Sequence, residues 1–133
     1  MPVKRFGVSI DNEVLEKLDE FVTNNKFPNR SQALRNLIEN NLVEKKWKCN
    51  NEVAGAVVIV YDHHKFDINN KLNNLQHDYH HIILSSQHIH LSHDLCLETI
   101  AVKGKAHELT ELSEKIIALK GVQHGRLVMT KAY

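Results

Sequence analysis

The chain is 133 residues long, 42% hydrophobic and 25% charged, with a formal net charge of +1 when its histidines are neutral. That length suits one ordinary domain or two small ones. So small a net charge excludes a globally basic nucleic-acid binder, and any DNA contact has to come from a local patch or from one repeated by oligomerisation.

In chain order, residues 3 to 10 alternate, with Phe6, Val8 and Ile10 on one side and Arg5, Gly7 and Ser9 on the other, the pattern of a short half-buried strand. Asp11 or Asn12 then offers an N-cap, and Glu13 sits in the first turn, where acids are favoured. Val14, Leu15, Leu18, Phe21 and Val22 follow at helical spacing until Asn24-Asn25-Lys26 breaks the period. After Phe27-Pro28, Asn29 or Ser31 caps a second helix with Ala33, Leu34, Leu37, Ile38 and Leu42 on one face. One short strand cannot make a sheet, and about 45 residues bury too little to stand alone. The pattern therefore predicts a dimer in which two strands pair antiparallel and show Arg5, Gly7 and Ser9 twice on their outer face.

The periodicity lapses over residues 47–53, which read as a linker between residues 1–46 and residues 54–133. The second segment predicts a strand from Ala54 to Tyr61, a helix from Phe66 to Tyr79, strands from Ile82 to Leu91 and Leu95 to Lys103, a helix from Glu108 to Leu119 closed by Gly121, and a strand from Gly125 to Lys131. The fold class is α+β, and the order β-α-β-β-α-β is the ferredoxin-like split pattern.

Histidine is the anomaly: there are ten, most of them between His63 and His93. Imidazoles at this density supply metal ligands or a pH-sensitive charge. His88-Ile89-His90 falls in a predicted strand, so both imidazoles face one side while Ile89 turns to the core. A tight turn at Ser92-His93-Asp94 brings Cys96 beside them, and alternation puts Glu98 on the face of Cys96, where a carboxylate orients an imidazole. Mixed His and Cys donors suit zinc, while planar N/S coordination suits Ni(II) or Cu(II), and the spacing does not choose between them. His80, His81, His93, His107 and His124 read as surface histidines, with weak secondary metal sites as the alternative, and Trp47 as packing at the domain junction. Cys49 and Cys96 are too few for a disulfide framework. With no apolar stretch of signal-peptide or membrane-span length, the expectation is a reducing, cytoplasmic protein whose thiols are free for metal.

Gln87-His88-Ile89-His90-Leu91-Ser92-His93-Asp94-Leu95-Cys96-Leu97-Glu98 resembles the H-x-H-x5-C-L-E signature of the NikR nickel-responsive regulators. Leu75-Gln76-His77-Asp78 and Val60-Tyr61-Asp62-His63 resemble two further elements of that family, and Gly121-Val122 its C-terminal segment, with Lys120 where an arginine is usual. Arg5-Phe6-Gly7-Val8-Ser9-Ile10 and Asn29-Arg30-Ser31-Gln32-Ala33-Leu34-Arg35 resemble its ribbon-helix-helix arm. The resemblance implies a ribbon-helix-helix DNA-binding domain over residues 1–46 and an ACT-like nickel-binding and tetramerisation domain over residues 54–133. It implies a homotetramer and square-planar Ni(II) held by His88, His90 and Cys96 of one subunit and His77 of a neighbour, with His63 and Glu98 behind these ligands. It further implies a repressor of nickel uptake genes whose binding to a double-stranded operator is promoted by Ni(II).

On the DNA arm, Arg5 is the main base reader, Ser9 a weaker one, and Asn29, Arg30 and Ser31 hold a phosphate at the start of the second helix. Gln32 and Asn36 stand where the family often has acids that bind a cation, and Gly7 stands where a hydroxyl side chain often reads bases. Two alternatives belong to other classes: a regulator sensing copper, zinc or an amino acid, and a metalloenzyme with Glu98 as base. The second needs an open coordination position, which a completed set of four protein ligands denies, so no enzymatic activity is expected.

Overall fold

The computed structural model describes residues 2–133, which divide into two compact units at Asn41/Leu42. In the first, helix α1 (Asn12–Asn24) begins where Asp11 Oδ1 accepts a hydrogen bond from the Val14 amide at 3.0 Å, an N-cap that satisfies one of the orphan donors of the first turn. Helix α2 (Arg30–Lys48) begins the same way, with Asn29 Oδ1 accepting from the Gln32 amide at 2.9 Å. Lys26 adopts φ 58° in the turn between them, and Phe21 and Phe27 pack with ring centroids 5.5 Å apart.

Residues 2–11 form no strand, contrary to the sequence expectation. Phe6 is 78% exposed and Val8 60%. The physical reason is that a lone strand within one chain has no ladder to join, so nothing offsets the entropy of extending it. The apolar face predicted for α2 is likewise uncovered at Leu37, Ile38 and Leu42, although Ala33 is fully buried.

The interval 47–53, expected as a linker, is largely ordered secondary structure. Helix α2 runs on through Trp47 and Lys48, and strand β1 already begins at Glu52. Trp47 accounts for the extension: it is buried, and its indole N–H donates to the Thr130 carbonyl at 2.9 Å, tying the last helical turn to the sheet. Asn50, at φ 55°, ends the helix in the left-handed conformation, and the Asn51 amide bonds back to the Lys46 carbonyl.

The second unit runs β1 (Glu52–Asp62), α3 (Ile68–Asp78), β2 (Ile83–His90), β3 (Leu95–Lys105), α4 (Ala106–Ile117) and β4 (Val122–Lys131). The strands form one sheet in the order β2-β3-β1-β4 with every neighbouring pair antiparallel. This is the α+β arrangement that the β-α-β-β-α-β pattern predicts, and it is consistent with an ACT-like domain. Val53, Val57, Ile59 and Tyr61 of β1 and Cys96, Ile100 and Val102 of β3 form one core with Ile68 and Leu72 of α3 and Ala106, Leu109, Leu112 and Ile116 of α4. The opposite face of the sheet carries the small side chains Ala54, Ala56, Val58 and Val60, which stay half-buried. Ile89, expected in the core, lies on that second face beside Leu97 and is 42% exposed.

Gly55 marks the tightest approach in this unit. A Cβ there would stand 2.4 Å from the Val128 carbonyl oxygen and 3.4 Å from the Trp47 ring. Backbone cannot step aside as a side-chain tip can, so Gly55→Ala should cost about 1–3 kcal/mol through displacement of β4. Denaturant unfolding of the full chain measures this, and an unchanged midpoint would mean that the strand yields without strain.

Candidate metal centre

Sheet register assembles the centre. The β2–β3 hairpin closes through Ser92, whose amide donates to the Leu95 carbonyl and whose Oγ accepts from the Leu95 amide at 3.2 Å. This register sets His90 opposite Cys96 and His88 opposite Glu98. Cross-strand partners share a face, so both imidazoles lie on the side of the buried Cys96 and Glu98. Strand β1 ends alongside, with Tyr61 opposite Cys96. The chain then turns: Asp62 Oδ1 accepts from the His64 amide at 2.9 Å, and the His63 amide donates to the Asp94 carbonyl at 3.2 Å. These two bonds swing the His63 ring back over the thiol.

His63 Nδ1 is 2.9 Å from Cys96 Sγ, and His90 Nδ1 is 3.4 Å from it. The donor atoms of His63, His90 and Cys96 lie within 4.8 Å of one another. His88 is turned slightly aside: its Nδ1 is 3.0 Å from the Tyr61 hydroxyl and 3.5 Å from Glu98 Oε1, though its ring centroid is only 5.1 Å from that of His90. Glu98 is itself held by the Gln76 amide, which donates to Oε2 at 2.9 Å. The structure therefore places His88, His90, Cys96 and Glu98 on one sheet face, and gives His63 a closer approach to sulfur than the orienting role expected of it. In the sequence Tyr61 and Gln76 stand out only by their place in the family motifs. The signal for Tyr61 was its position at the buried end of β1, where a phenol needs a hydrogen-bond partner.

His77 does not join this group within its own chain. It sits exposed in the last turn of α3, with its ring 6.1 Å from that of His80. In the first unit Arg5 and Ser9 are exposed in the irregular N-terminal segment. Asn29 is spent on its cap, and Arg30 makes a two-pronged bond to Asp19 at 2.8 and 3.0 Å. Ser31 lies exposed in the first turn of α2. Cys49 and Cys96 are both free thiols.

Burial, reinforced by the charges of Glu98 and Asp62, pushes the Cys96 thiol above its ordinary value. Partial burial and the neighbouring His64 and His90 hold His63 below the usual histidine range, despite an opposing pull from Asp62. Burial and the nearby Glu98 and Cys96 raise the Tyr61 phenol far above its usual value, so it remains a hydrogen-bond donor. Near neutral pH the centre accordingly holds a neutral His63 imidazole and a protonated thiol. A late divalent metal fits this donor set, because imidazole and thiolate are the ligand types such ions prefer. Its binding must release the thiol proton, so affinity should rise about tenfold from pH 7 to pH 8. Chelator competition at the two pH values checks this. A flat profile would mean that the thiol is already ionised or is not a ligand.

Residues 54–130 match the family described as the NikR C terminal nickel binding domain. Among curated relatives, a protein of Syntrophus aciditrophicus is 49% identical over 125 residues, covering 94% of this chain and 91% of the relative. One of Solibacter usitatus is 45% identical over 129 residues, covering 96% and 93%, and one of Chlorobium phaeobacteroides is 47% identical over 130 residues, covering 98% and 97%. All three are provisionally named nickel-responsive regulators. The uncharacterized protein TM1266 from Thermotoga maritima superposes with a TM-score of 0.55 at 18% identity, over 61% of this chain and all of that one, a likeness of fold alone. Among the described residues no helix is long and apolar enough to cross a membrane. With its imidazole–thiol cluster inside the matched segment and relatives aligned nearly end to end, the chain belongs to the NikR family of nickel-responsive regulators, and residues 54–130 are its C-terminal nickel-binding domain.

Proposed function

We propose that the protein is a cytoplasmic homotetramer that represses nickel uptake genes by binding a double-stranded operator when Ni(II) is present. The observation that carries this reading is the placement of His88, His90 and Cys96 on one sheet face by the β2–β3 register, with His90 against the thiol, while His77 stands apart in its own chain. A fourth ligand from a neighbouring subunit would complete the set. Ni(II), when bound, supplies a link between donors, here a soft thiolate and imidazoles suited to it. The chain's own residues do the rest. Tyr61 and Glu98 hold the His88 ring, Gln76 holds Glu98, and the covered sheet keeps Cys96 from water. His63 is the near neighbour of the thiol and either orients it or shares its load.

Two features support assembly. The small side chains on the helix-free face of the sheet suit close packing by another copy. The exposed Phe6, Val8 and Ile10 suit a strand that a second chain completes. Paired antiparallel, residues 3–10 of two chains would make a ribbon-helix-helix arm whose ribbon fits the major groove, with Arg5 of each on a base edge. Asn29, Arg30 and Ser31 would approach a phosphate, which requires Arg30 to exchange Asp19 for DNA. Because the metal site would span subunits, filling it would alter their packing, and the arms would feel that change.

The test is selection of duplexes from a random-sequence library with Ni(II)-loaded full-length protein, followed by fluorescence anisotropy with and without Ni(II). A selected sequence bound tightly only with Ni(II) is the expected result. Recovery of no sequence, or an affinity indifferent to nickel but responsive to Cu(II), Zn(II) or an amino acid, would replace this reading.

A further inference from the structure

Beside the thiol centre lies a second group of donors. His64 comes from the turn after β1, and His93 and Asp94 come from the β2–β3 turn. Their donor atoms lie within 4.8 Å of one another. His64 Nε2 is 3.6 Å from Asp94 Oδ1, and the His64 and His93 rings are 5.6 Å apart. We propose that His64, His93 and Asp94 form an outer site for a late divalent transition-metal ion, distinct from the thiol centre and independent of its function.

The two turns do not meet by chance. The His63 amide bonds to the Asp94 carbonyl, and Asp62 Oδ1 holds the His64 amide, so one backbone bond ties the two turns together and a side-chain bond fixes His64 within its own. Two donors each about 2.0–2.2 Å from one ion stand roughly 3 to 3.5 Å apart, so the His64–Asp94 separation needs only a small closure. As a plain surface ion pair this contact is worth little, with the two side chains 52% and 61% exposed, and it does not include His93, whose ring lies against that of His64. Two imidazoles and a carboxylate are the donors that zinc and nickel accept, and at this exposure water completes the coordination. With no sulfur donor and no buried partners, the outer site should fill only after the thiol centre. The His63 and His64 rings are 3.9 Å apart, so the sites are neighbours, and variants must touch one at a time.

The experiment is Ni(II) titration of full-length protein by equilibrium dialysis with parallel absorption spectra, for wild type, the His64→Ala/His93→Ala double variant and Cys96→Ala. Wild type should take one ion per chain with a thiolate-to-nickel band and then a second that leaves the band unchanged. The double variant should stop at one ion with its band intact, while Cys96→Ala should lose the band and keep the outer ion. Each single histidine variant should weaken the outer ion by at least about tenfold. Wild type saturating at one ion even in excess nickel, or a double variant that still takes two, would reduce the cluster to solvated histidines and overturn the proposal. A missing thiolate band in wild type would instead count against the nickel-sensing reading and leave the outer site to be judged by the double variant alone.

Discussion

Cys96→Ala should abolish the thiolate-to-nickel absorption band and weaken Ni(II) binding by more than about 100-fold. Loss of a group that merely orients a ligand costs about 10- to 100-fold, and sulfur is itself the proposed ligand. Cys96 is fully buried, at the meeting of His63, His90 and the β1–β3 register. No other described residue brings sulfur near these imidazoles, since Cys49 is exposed beyond the end of α2. The substitution also removes a small apolar atom from the core, at a cost of order 1 kcal/mol, so the variant should still fold. Cys49→Ala is the matched control and should keep both band and affinity. A Cys96→Ala protein that retained the band would move the thiol out of the site and reopen zinc- or oxygen-donor readings.

The second large effect is expected at Arg5. Arg5→Ala should remove specific operator binding while leaving the nickel titration unchanged. A bidentate arginine–guanine contact is worth roughly 1–3 kcal/mol. A two-fold ribbon would lose two, or about 2–6 kcal/mol, which is roughly 30-fold to 10⁴-fold in affinity. Arg5 lies in the first compact unit and the donor cluster in the second, so metal affinity has no direct reason to change. Lys4→Ala should behave differently, weakening binding evenly across sequences and flattening its salt dependence, as loss of a phosphate contact does. Anisotropy at two salt concentrations separates the two variants. Nickel affinity falling together with DNA affinity in Arg5→Ala would contradict the separation of the two tasks.

The N-terminal segment shows why this division cannot be read from one chain. Its alternation is a strand signal, yet residues 2–11 form no strand here. The hydrogen bonds that make a strand belong to a pair, and in the proposed assembly the partner is a second molecule. Helix α2 errs the other way. Its periodicity fades near residue 46, yet the helix continues because Trp47 finds the Thr130 carbonyl and the space over Gly55, contacts with residues far along the chain.

The sequence by itself determined the order and kind of the elements in the second unit, because alternation and helical spacing are local properties that these segments satisfy without conflict. It also determined the pairing of the HxH motif with Cys96, since a short turn leaves a hairpin almost no other register. Tertiary structure decided what depends on chain segments meeting from a distance. It set His63 against the thiol, turned His88 toward Tyr61 and Glu98, joined Glu98 to Gln76, and gathered His64, His93 and Asp94 at the edge. It left Ile89 on the helix-free face because the helices cover only the other side of the sheet. Which imidazole approaches sulfur depends on where β1 ends beside β3, a matter of sheet order and loop hydrogen bonds that residue spacing does not encode.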